Sequence, residues 1–259
     1  PVILYDYQPS RNGDHAVTLL KDFKGYVHSD GYSGYNKLTN ITRCGCWAHL
    51  RRKFIEAIPQ RKSTEGLTNA EIGRNYCDQL FMIERDLKDL SSEERRIKRL
   101  ELEKPVLEAF WCWLENLEVL KGSALGKAVT YALNQRKYME NYLLDGRIAL
   151  SNAIAENNVR DFAVGRRNWL FSASVNGATA SAAIFSLIET AKANNLRVRP
   201  YLKEVITYMR DHANANGSER IDVDPILPWS DEMQRRFALS NPIEEEGIQE
   251  HIYVSAVTC

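Results

Sequence analysis

The segment Tyr26-Val27-His28-Ser29-Asp30-Gly31 decides the predicted fold, because it places a carboxylate directly after a short strand. Val2–Tyr7 and Ile41–Trp47 are further strand candidates, since both are rich in β-branched, aromatic and other apolar residues. Between the first two strands, the apolar spacing predicts a helix that begins near Asp14. The first 50 residues therefore predict an α/β fold in which Asp30 lies at the carboxyl end of a strand.

Residues 51–150 have a different pattern and predict an all-helical insertion. Apolar residues recur at helical spacing from Leu80 to Leu90. Ser91, which two glutamates follow closely, is typical of a helix start with the hydroxyl as cap. The run 95–104 mixes positive and negative charges, which favours a solvated helix face.

Residues 151–213 predict a second part of the core. The predicted helices are Asn152–Val164, Ala178–Ala193 and Pro200–His212. The first carries Glu156, and a turn at Asn176-Gly177 precedes the second, whose small residues are expected to pack against the first. Residues 214–259 are acidic in part and lack a period, so we expect a partly disordered tail. The sequence thus divides into core (1–50), insertion (51–150), core (151–213) and tail (214–259).

The composition is that of an ordinary soluble globular protein. Hydrophobic residues make up 44% of the 259 residues and charged residues 26%. The 34 Lys and Arg residues balance the 34 Asp and Glu residues, so any contact with DNA must come from local clusters. Five scattered cysteines favour a reducing cytoplasm over a disulfide framework. No apolar run approaches the roughly 20 residues of a membrane helix, so no membrane partner is predicted.

Asp30 and Glu156 are the candidate metal ligands. A phosphoryl-transfer site with two Mg²⁺ ions needs hard, anionic oxygen ligands, and carboxylates meet both requirements. Ligands of open α/β sheets gather at the carboxyl ends of strands, where Asp30 is predicted to lie. The pattern alone leaves a plainer interpretation open, because Asp after a strand often forms a turn, and Glu156 with Arg160 has the spacing of a helical ion pair.

Six blocks of the sequence are informative in their order along the chain: Ser29–Tyr35, Gly45–Phe54, Asn152–Glu156, Val164–Phe171, Ile188–Lys192 and Ile226–Trp229. In the same order, these blocks resemble the transposases of the insertion-sequence-66 family. The resemblance implies a ribonuclease-H-like transposase core with a large all-helical insertion and C-terminal helices. It also implies cleavage of transposon ends and their transfer to target DNA with Mg²⁺ or Mn²⁺. In the family pattern, Asp30 takes the second and Glu156 the third of three catalytic, metal-binding carboxylates.

The resemblance further implies double-stranded DNA as the partner. The expected DNA is the terminal inverted repeats and the target, bound by a homo-oligomer in the bacterial cytoplasm, associated with the nucleoid. Cations neutralise phosphates, and an aromatic ring can stack on an unpaired base. The candidate DNA-binding residues are His49, Arg51, Arg52, Lys53, Arg160, Arg166, Arg167 and Trp169. Solvated helix faces for the cations, and a core position for the tryptophan, are the alternatives.

One catalytic residue of the family pattern is absent from the sequence. The family's first aspartate lies in an Asp-Glu-Thr motif, and these 259 residues contain no such motif. We therefore expect an N-terminal portion to be lacking, an incomplete sheet with exposed strand edges, and a chain that is inactive alone. Asp6 could take the missing role, although its context matches a non-catalytic strand of the family. The alternative functions are a catalytically inactive fragment that retains DNA or subunit binding, and a hydrolytic nuclease.

Cys44, Cys46 and His49 could suggest a zinc site. A structural zinc site needs four ligands, and no second Cys/His pair follows at a suitable spacing. Alternation along the strand puts Cys44 and Cys46 on one face, which favours a buried pair of small apolar residues.

Overall fold

The computed structural model describes residues 1–60, 66–169, 172–213, 221–239 and 252–258. Side chains are described throughout these ranges except at 161, 166–169 and 252–258. The chain divides into two compact units, which we call the central unit (Asn12–Ala153) and the terminal unit (Pro1–Arg11 with Ile154–Cys259). The limits of the four segments given by the sequence stay predictions.

The described part of the chain is mostly helical, and its strands form two small parallel sheets. The strands are β1 (Val2–Gln8), β2 (Gly25–Ser29), β3 (Ile41–Gly45) and β4 (Ile252–Thr258), with β1 paired to β4 and β2 to β3. The helices are α1 (Gly13–Leu19), α2 (Trp47–Glu56), α3 (Asn69–Asp86), α4 (Ser92–Leu102), α5 (Lys104–Glu115), α6 (Ala124–Met139), α7 (Ala153–Trp169), α8 (Val175–Ala193), α9 (Val198–Ala213) and α10 (Asp231–Phe237). Short 3-10 helices span Ser33–Lys37, Asn141–Leu144 and Asp224–Ile226. The α/β class is confirmed, and among these helices none is both long and apolar enough to cross a membrane.

The strands predicted on either side of Asp30 are confirmed. β2 ends at Ser29, directly before Asp30, and Ser29 pairs with Gly45 at the end of β3. Because the strands are parallel and in this register, their carboxyl ends lie at the same edge. Asp30 and the start of α2 therefore leave the sheet side by side.

An aromatic core fixes α2 within the central unit. Trp47, Phe54 and Phe110 are fully buried, and the ring centroids of Trp47 and Phe110 are 5.6 Å apart. The indole N–H of Trp47 donates to the carbonyl of Met139 at 2.9 Å, which satisfies its one polar atom. Burial of each large apolar side chain contributes about 1.5–3 kcal/mol. This cluster holds the helix that carries His49 and Lys53 against α6.

The charged run 95–104 corrects one prediction. Ser91 caps α4 as predicted. Arg99 and Glu103 are fully buried, whereas six of the ten residues of the run are exposed, so the predicted solvated face is wrong only at these two positions. Arg99 binds both carboxylate oxygens of Glu84 at 2.7 and 2.8 Å and donates to three main-chain carbonyls. These partners replace the water that a buried guanidinium loses.

In the terminal unit, α8 covers one edge of β1 with side-chain hydroxyls. Thr190 Oγ1 accepts from the N–H of Ile3 and donates to the carbonyl of Ile3, both at 3.0 Å. Ser186 Oγ accepts from the N–H of Tyr5 at 2.8 Å. The expectation of an exposed edge is wrong for these two residues of β1, because a helix satisfies the polar groups that another strand would bind.

The small residues of α8 pack against α7, as predicted. Ala182 is buried in one cluster with Tyr5 and Phe162. The ring centroids of Phe162 in α7 and Phe185 in α8 are 4.9 Å apart in an edge-to-face arrangement. The helix that carries Glu156 is thus fixed to α8 by small and aromatic side chains together.

The C-terminal third differs from prediction at the start of α8. The turn predicted at Asn176-Gly177 is wrong, because both residues lie in the first helical turn and Ser174 accepts from the N–H of Gly177 at 3.1 Å. Within the segment 214–259, residues 221–239 contain α10, and β4 pairs with β1. The acidic run Glu244–Glu246 lies outside the described residues.

Candidate active site

Asp30 is half-buried at the carboxyl end of β2. Its Oδ1 accepts from the N–H of Tyr32 at 3.0 Å, a local turn that Asp often forms. Its main-chain carbonyl accepts from Arg43 Nη2 at 2.7 Å. The turn-forming interpretation is therefore correct for one oxygen of Asp30. An ionised carboxylate has about four lone-pair sites, so this bond is compatible with binding a cation as well.

His28, which the sequence patterns did not single out, lies two residues before Asp30. Alternation along β2 places both side chains on the same face, and this is the signal that could have found it. The Nε2–H of His28 donates to the carbonyl of Gly45 at 2.8 Å. Burial lowers the pKa of His28 to about 4, and the neighbouring His49 contributes to the same shift. The His28 ring is therefore neutral at neutral pH.

Tyr131 of α6 lies against the same strand end. Its ring approaches Gly31 so closely that a Cβ added there would lie 2.5 Å from Cε2. Burial, followed by the charges of Cys46 and Asp30, raises the pKa of Tyr131 to about 12. Lys53 Nζ is 4.9 Å from the centroid of the same ring. The fold thus brings Lys53 and Tyr131 to the neighbourhood of Asp30.

The basic group predicted on α2 divides between two sides of the helix. His49, Arg52 and Lys53 are three and four residues apart and share one side. Arg51 points away from them and forms an ion pair with Asp78 of α3. Arg51 therefore joins two helices, whereas Arg52 is exposed and Lys53 lies over the Tyr131 ring.

Arg43 of β3 is a buried cation at the same edge, with 6% of its surface exposed. Its Nε donates to Ser29 Oγ at 2.8 Å and its Nη1 to Asn36 Oδ1 at 2.6 Å. The guanidinium also lies 4.4 Å from the centroid of the Tyr138 ring, within the range of a cation–π contact. Together with the carbonyl of Asp30, these groups form a cradle of uncharged partners.

Glu156 lies in the first turn of α7, in the terminal unit, and is half-buried. The amino end of a helix favours a negative charge at this position. Arg160, one turn later, is exposed. The side chains of three further candidates on α7 lie outside the described residues: Arg166, Arg167 and Trp169. Asp30, by contrast, lies in the central unit.

Asp6, the alternative ligand, lies in the terminal unit on β1. Tyr5 points towards α7, where its hydroxyl donates to the carbonyl of Asn158 at 2.6 Å. Alternation puts Asp6 on the opposite face of the strand from Tyr5. There Asp6 Oδ2 accepts from the side-chain amide of Gln8 at 2.5 Å. The described geometry therefore directs Asp6 away from the face that packs on α7.

The cysteine cluster is a buried pair, as predicted. Cys44 and Cys46 are free thiols with almost no exposed surface. Burial raises the pKa of Cys44 to about 12, so this thiol stays protonated at neutral pH. Within the ranges that the structure describes, no three His, Cys, Asp or Glu side chains form a group able to hold a metal ion.

Comparison with known proteins identifies related sequences. Residues 1–180 match the family model described as the transposase IS66 family. The uncharacterized protein y4hP of Sinorhizobium fredii is 31% identical over 247 residues, which cover 88% of this chain and 44% of y4hP. The uncharacterized protein y4qI of the same organism is 28% identical over 242 residues, which cover 89% of this chain and 43% of y4qI. The chain thus spans less than half the length of these relatives, and no solved structure matches it.

Proposed function

Because the chain belongs to the IS66 family of transposases, we propose that it forms part of a catalytic region that cleaves transposon ends and joins them to target DNA. The proposal includes a ribonuclease-H-like core and assigns Asp30 and Glu156 as metal-binding carboxylates. The observation that carries it is the position of Asp30, a half-buried carboxylate at the carboxyl edge of two parallel strands. The Tyr131 ring packs against the adjacent Gly31, and Lys53 lies over that ring.

The donor set is compatible with Mg²⁺ or Mn²⁺. Carboxylates are hard, anionic oxygen ligands of the kind that these ions prefer. The hydrogen bond from the Tyr32 N–H orients the Asp30 carboxylate and leaves lone pairs on both of its oxygens. When bound, the metal ions would activate the attacking hydroxyl and stabilise the leaving oxygen.

The side chains around Asp30 would bind and orient the DNA backbone. The Lys53 ammonium lies over the Tyr131 ring, which restricts its position near Asp30. Arg52 shares that side of α2 and is exposed. Both cations would neutralise phosphates and release counterions. Neutral His28 would add no charge and would hold the two strand ends together through Gly45.

The proposed partners follow from the same function. They are double-stranded DNA of the transposon ends and of the target, bound by a homo-oligomer at the nucleoid in the bacterial cytoplasm. Because the relatives are more than twice as long as this chain, the activity of the whole protein is itself part of the proposal.

The metal assignment is tested by titrating the complete chain with Mn²⁺ and following the relaxation of water protons. Outer-shell changes commonly weaken metal binding by about 10- to 100-fold, so we expect loss of a ligand in Asp30→Asn or Glu156→Gln to weaken it by at least about 10-fold. Asp22→Asn removes an exposed carboxylate of the central unit and should leave the affinity unchanged. Unchanged affinity in Asp30→Asn would refute the assignment of Asp30.

The reaction is tested by a transposition assay in cells that express the complete reading frame. Asp30→Asn should abolish joined products while Asp22→Asn preserves them. Ends that are cut but never joined by the wild-type protein would contradict strand transfer and indicate a nuclease.

A second candidate function is binding of DNA or of a sister subunit without catalysis, and the basic side of α2 with Arg52 and Lys53 favours it. DNA affinity is measured by fluorescence anisotropy at several salt concentrations. Lys53→Ala should weaken binding and lower the salt slope by about one for the lost phosphate contact, whereas Lys98→Ala, an exposed lysine of α4, should not. DNA binding together with Mn²⁺ binding that is indifferent to Asp30 would support this second function over the first.

A further inference from the structure

Arg43 and Arg99 are both buried in the part of the central unit that the structure describes, but they differ in the partners that surround the charge. Arg99 is neutralised by the carboxylate of Glu84. Arg43 donates to a hydroxyl, a side-chain amide and a main-chain carbonyl, and no carboxylate pairs with it among the described residues. Burying a cation without a counter-ion costs desolvation free energy. The hydrogen bonds that Arg43 makes in this position must offset that cost.

The guanidinium of Arg43 joins three separate elements. Nε reaches Ser29 at the end of β2, Nη1 reaches Asn36 in the 3-10 helix, and Nη2 reaches the carbonyl of Asp30 at 2.7 Å and Gln135 of α6 at 3.5 Å. A lysine ammonium is a single point donor and cannot span these directions, whereas the planar fork of arginine can. Arg43 therefore holds the main-chain carbonyl of Asp30 directly, and it holds Ser29 before it and Asn36 after it through their side chains.

We propose that Arg43 is the positioning residue for Asp30. It holds the carbonyl of Asp30 and the 3-10 helix that follows, so that the carboxylate stays at the strand edge in one orientation. Arg43 is too buried to touch DNA, and it acts through the main chain of Asp30. This inference rests on the proposed function, because it concerns the carboxylate assigned there as a metal ligand.

Two effects of Arg43 oppose each other, and the choice of variant separates them. Its positive charge repels a bound cation, whereas its hydrogen bonds hold the ligand in place. Arg43→Lys keeps the charge and loses the fork, so it reports on positioning alone. If positioning is the role of Arg43, this conservative variant weakens metal binding although the net charge is unchanged.

The test is the Mn²⁺ titration of the complete chain with Arg43→Lys and Arg99→Lys as a matched pair. Both substitutions remove a buried guanidinium from the central unit and both should lower the unfolding temperature. Only Arg43→Lys should weaken Mn²⁺ binding, by about 10-fold or more. Wild-type affinity in Arg43→Lys, or an equal loss in Arg99→Lys, would overturn the proposal.

Amide hydrogen exchange provides a readout that does not depend on the metal. The N–H of Tyr32 is held by Asp30 Oδ1, so a loosened Asp30 exposes this amide. Arg43→Lys should speed its exchange by about 10-fold, and Arg99→Lys should not. If Asp30→Asn leaves Mn²⁺ binding unchanged, the proposed function fails while this measurement still decides the role of Arg43. Unchanged exchange at Tyr32 in Arg43→Lys would refute it.

Discussion

Glu103→Gln should remove a pH dependence from the unfolding of the central unit. Glu103 is fully buried at the junction of α4 and α5, and its Oε2 accepts from the Tyr142 hydroxyl at 2.5 Å. Glu84 and Arg99 are the charged groups that face it. Burial first, and then the negative charge of Glu84, raises the pKa of Glu103 from 4.5 to about 8, although Tyr142 and Arg99 act in the opposite direction.

The sign of the effect follows from the difference between the two pKa values. Below pH 4.5 Glu103 is protonated in the folded and the unfolded chain, and its contribution to stability is fully present. Between pH 4.5 and about 8 the folded chain keeps a proton that the unfolded chain has lost. The free energy of unfolding therefore falls as pH rises, by about 1.4 kcal/mol per unit. From pH 5 to 7.5 the loss amounts to about 3 kcal/mol, a large share of the 5–15 kcal/mol typical of a domain.

Glutamine at position 103 keeps the shape of the side chain and can accept from the Tyr142 hydroxyl, but it cannot ionise. We expect the variant to unfold at a higher urea concentration than the wild type at pH 8, with a smaller difference at pH 5. Urea unfolding of the complete chain, followed by tryptophan fluorescence between pH 5 and 8, measures both curves. Their difference isolates Glu103 from all other titrating groups.

Glu101→Gln is the matched control for Glu103. Glu101 lies two residues away at the end of α4, is exposed, and pairs with Lys98. Its replacement should leave the pH slope of the wild type unchanged. Parallel pH curves for the wild type and Glu103→Gln would show that Glu103 is ionised in the folded chain, and the reasoning from burial would be wrong.

Three further predictions concern other parts of the fold. Thr190→Val keeps the shape of the side chain but leaves the N–H and the carbonyl of Ile3 without their hydrogen-bond partner, so the free energy of unfolding in urea should fall by about 1–3 kcal/mol. The control Thr179→Val changes an exposed threonine and should cost less than half of that. Gly31→Ala puts a Cβ into the Tyr131 ring and should lower the free energy of unfolding by about 1–3 kcal/mol. The double variant with Tyr131→Ala should lose less than the sum of the two single variants, and additive losses would contradict the contact. Of the described cysteines, only exposed Cys112 should react with a thiol reagent at pH 8 in the folded chain, as peptide mapping by mass spectrometry would show.

Much of the local structure could be predicted from the sequence. The strand before Asp30, the cap at Ser91 and the buried pair Cys44 and Cys46 each depend on neighbours within a few residues, and the structure confirms all three. The three C-terminal helices were predicted for the same reason, since amphipathic spacing is a local property. The turn predicted at Asn176-Gly177 was wrong because a cap at Ser174 starts the helix earlier than the turn signal suggests.

The candidate site could be predicted only in part. The family blocks pointed to Asp30 and Lys53, but Tyr131 and Arg43 were missed, since what marks them is a contact with residues far away in the chain. Arg51 and Lys53 belong to one basic cluster in the sequence, but helical spacing puts them on different sides of α2, and Arg51 pairs with Asp78 of α3. The assignments of Asp30 and Glu156 as metal ligands both stay predictions.

The sequence by itself determined strands β1 to β3, the existence of helices α7 to α9 and which carboxylate follows β2. It did not predict β4 or α10. Tertiary structure decided which charges are solvated and which are buried. Arg99 and Glu103 lie in a run whose mixed charges favour solvent, yet both are buried, because Glu84 and Tyr142 arrive from other helices to bind them. Arg43 is buried in the same way by the groups around Asp30. Whether a charge can leave water depends on the partners that distant segments supply, and the local pattern of a sequence does not contain them.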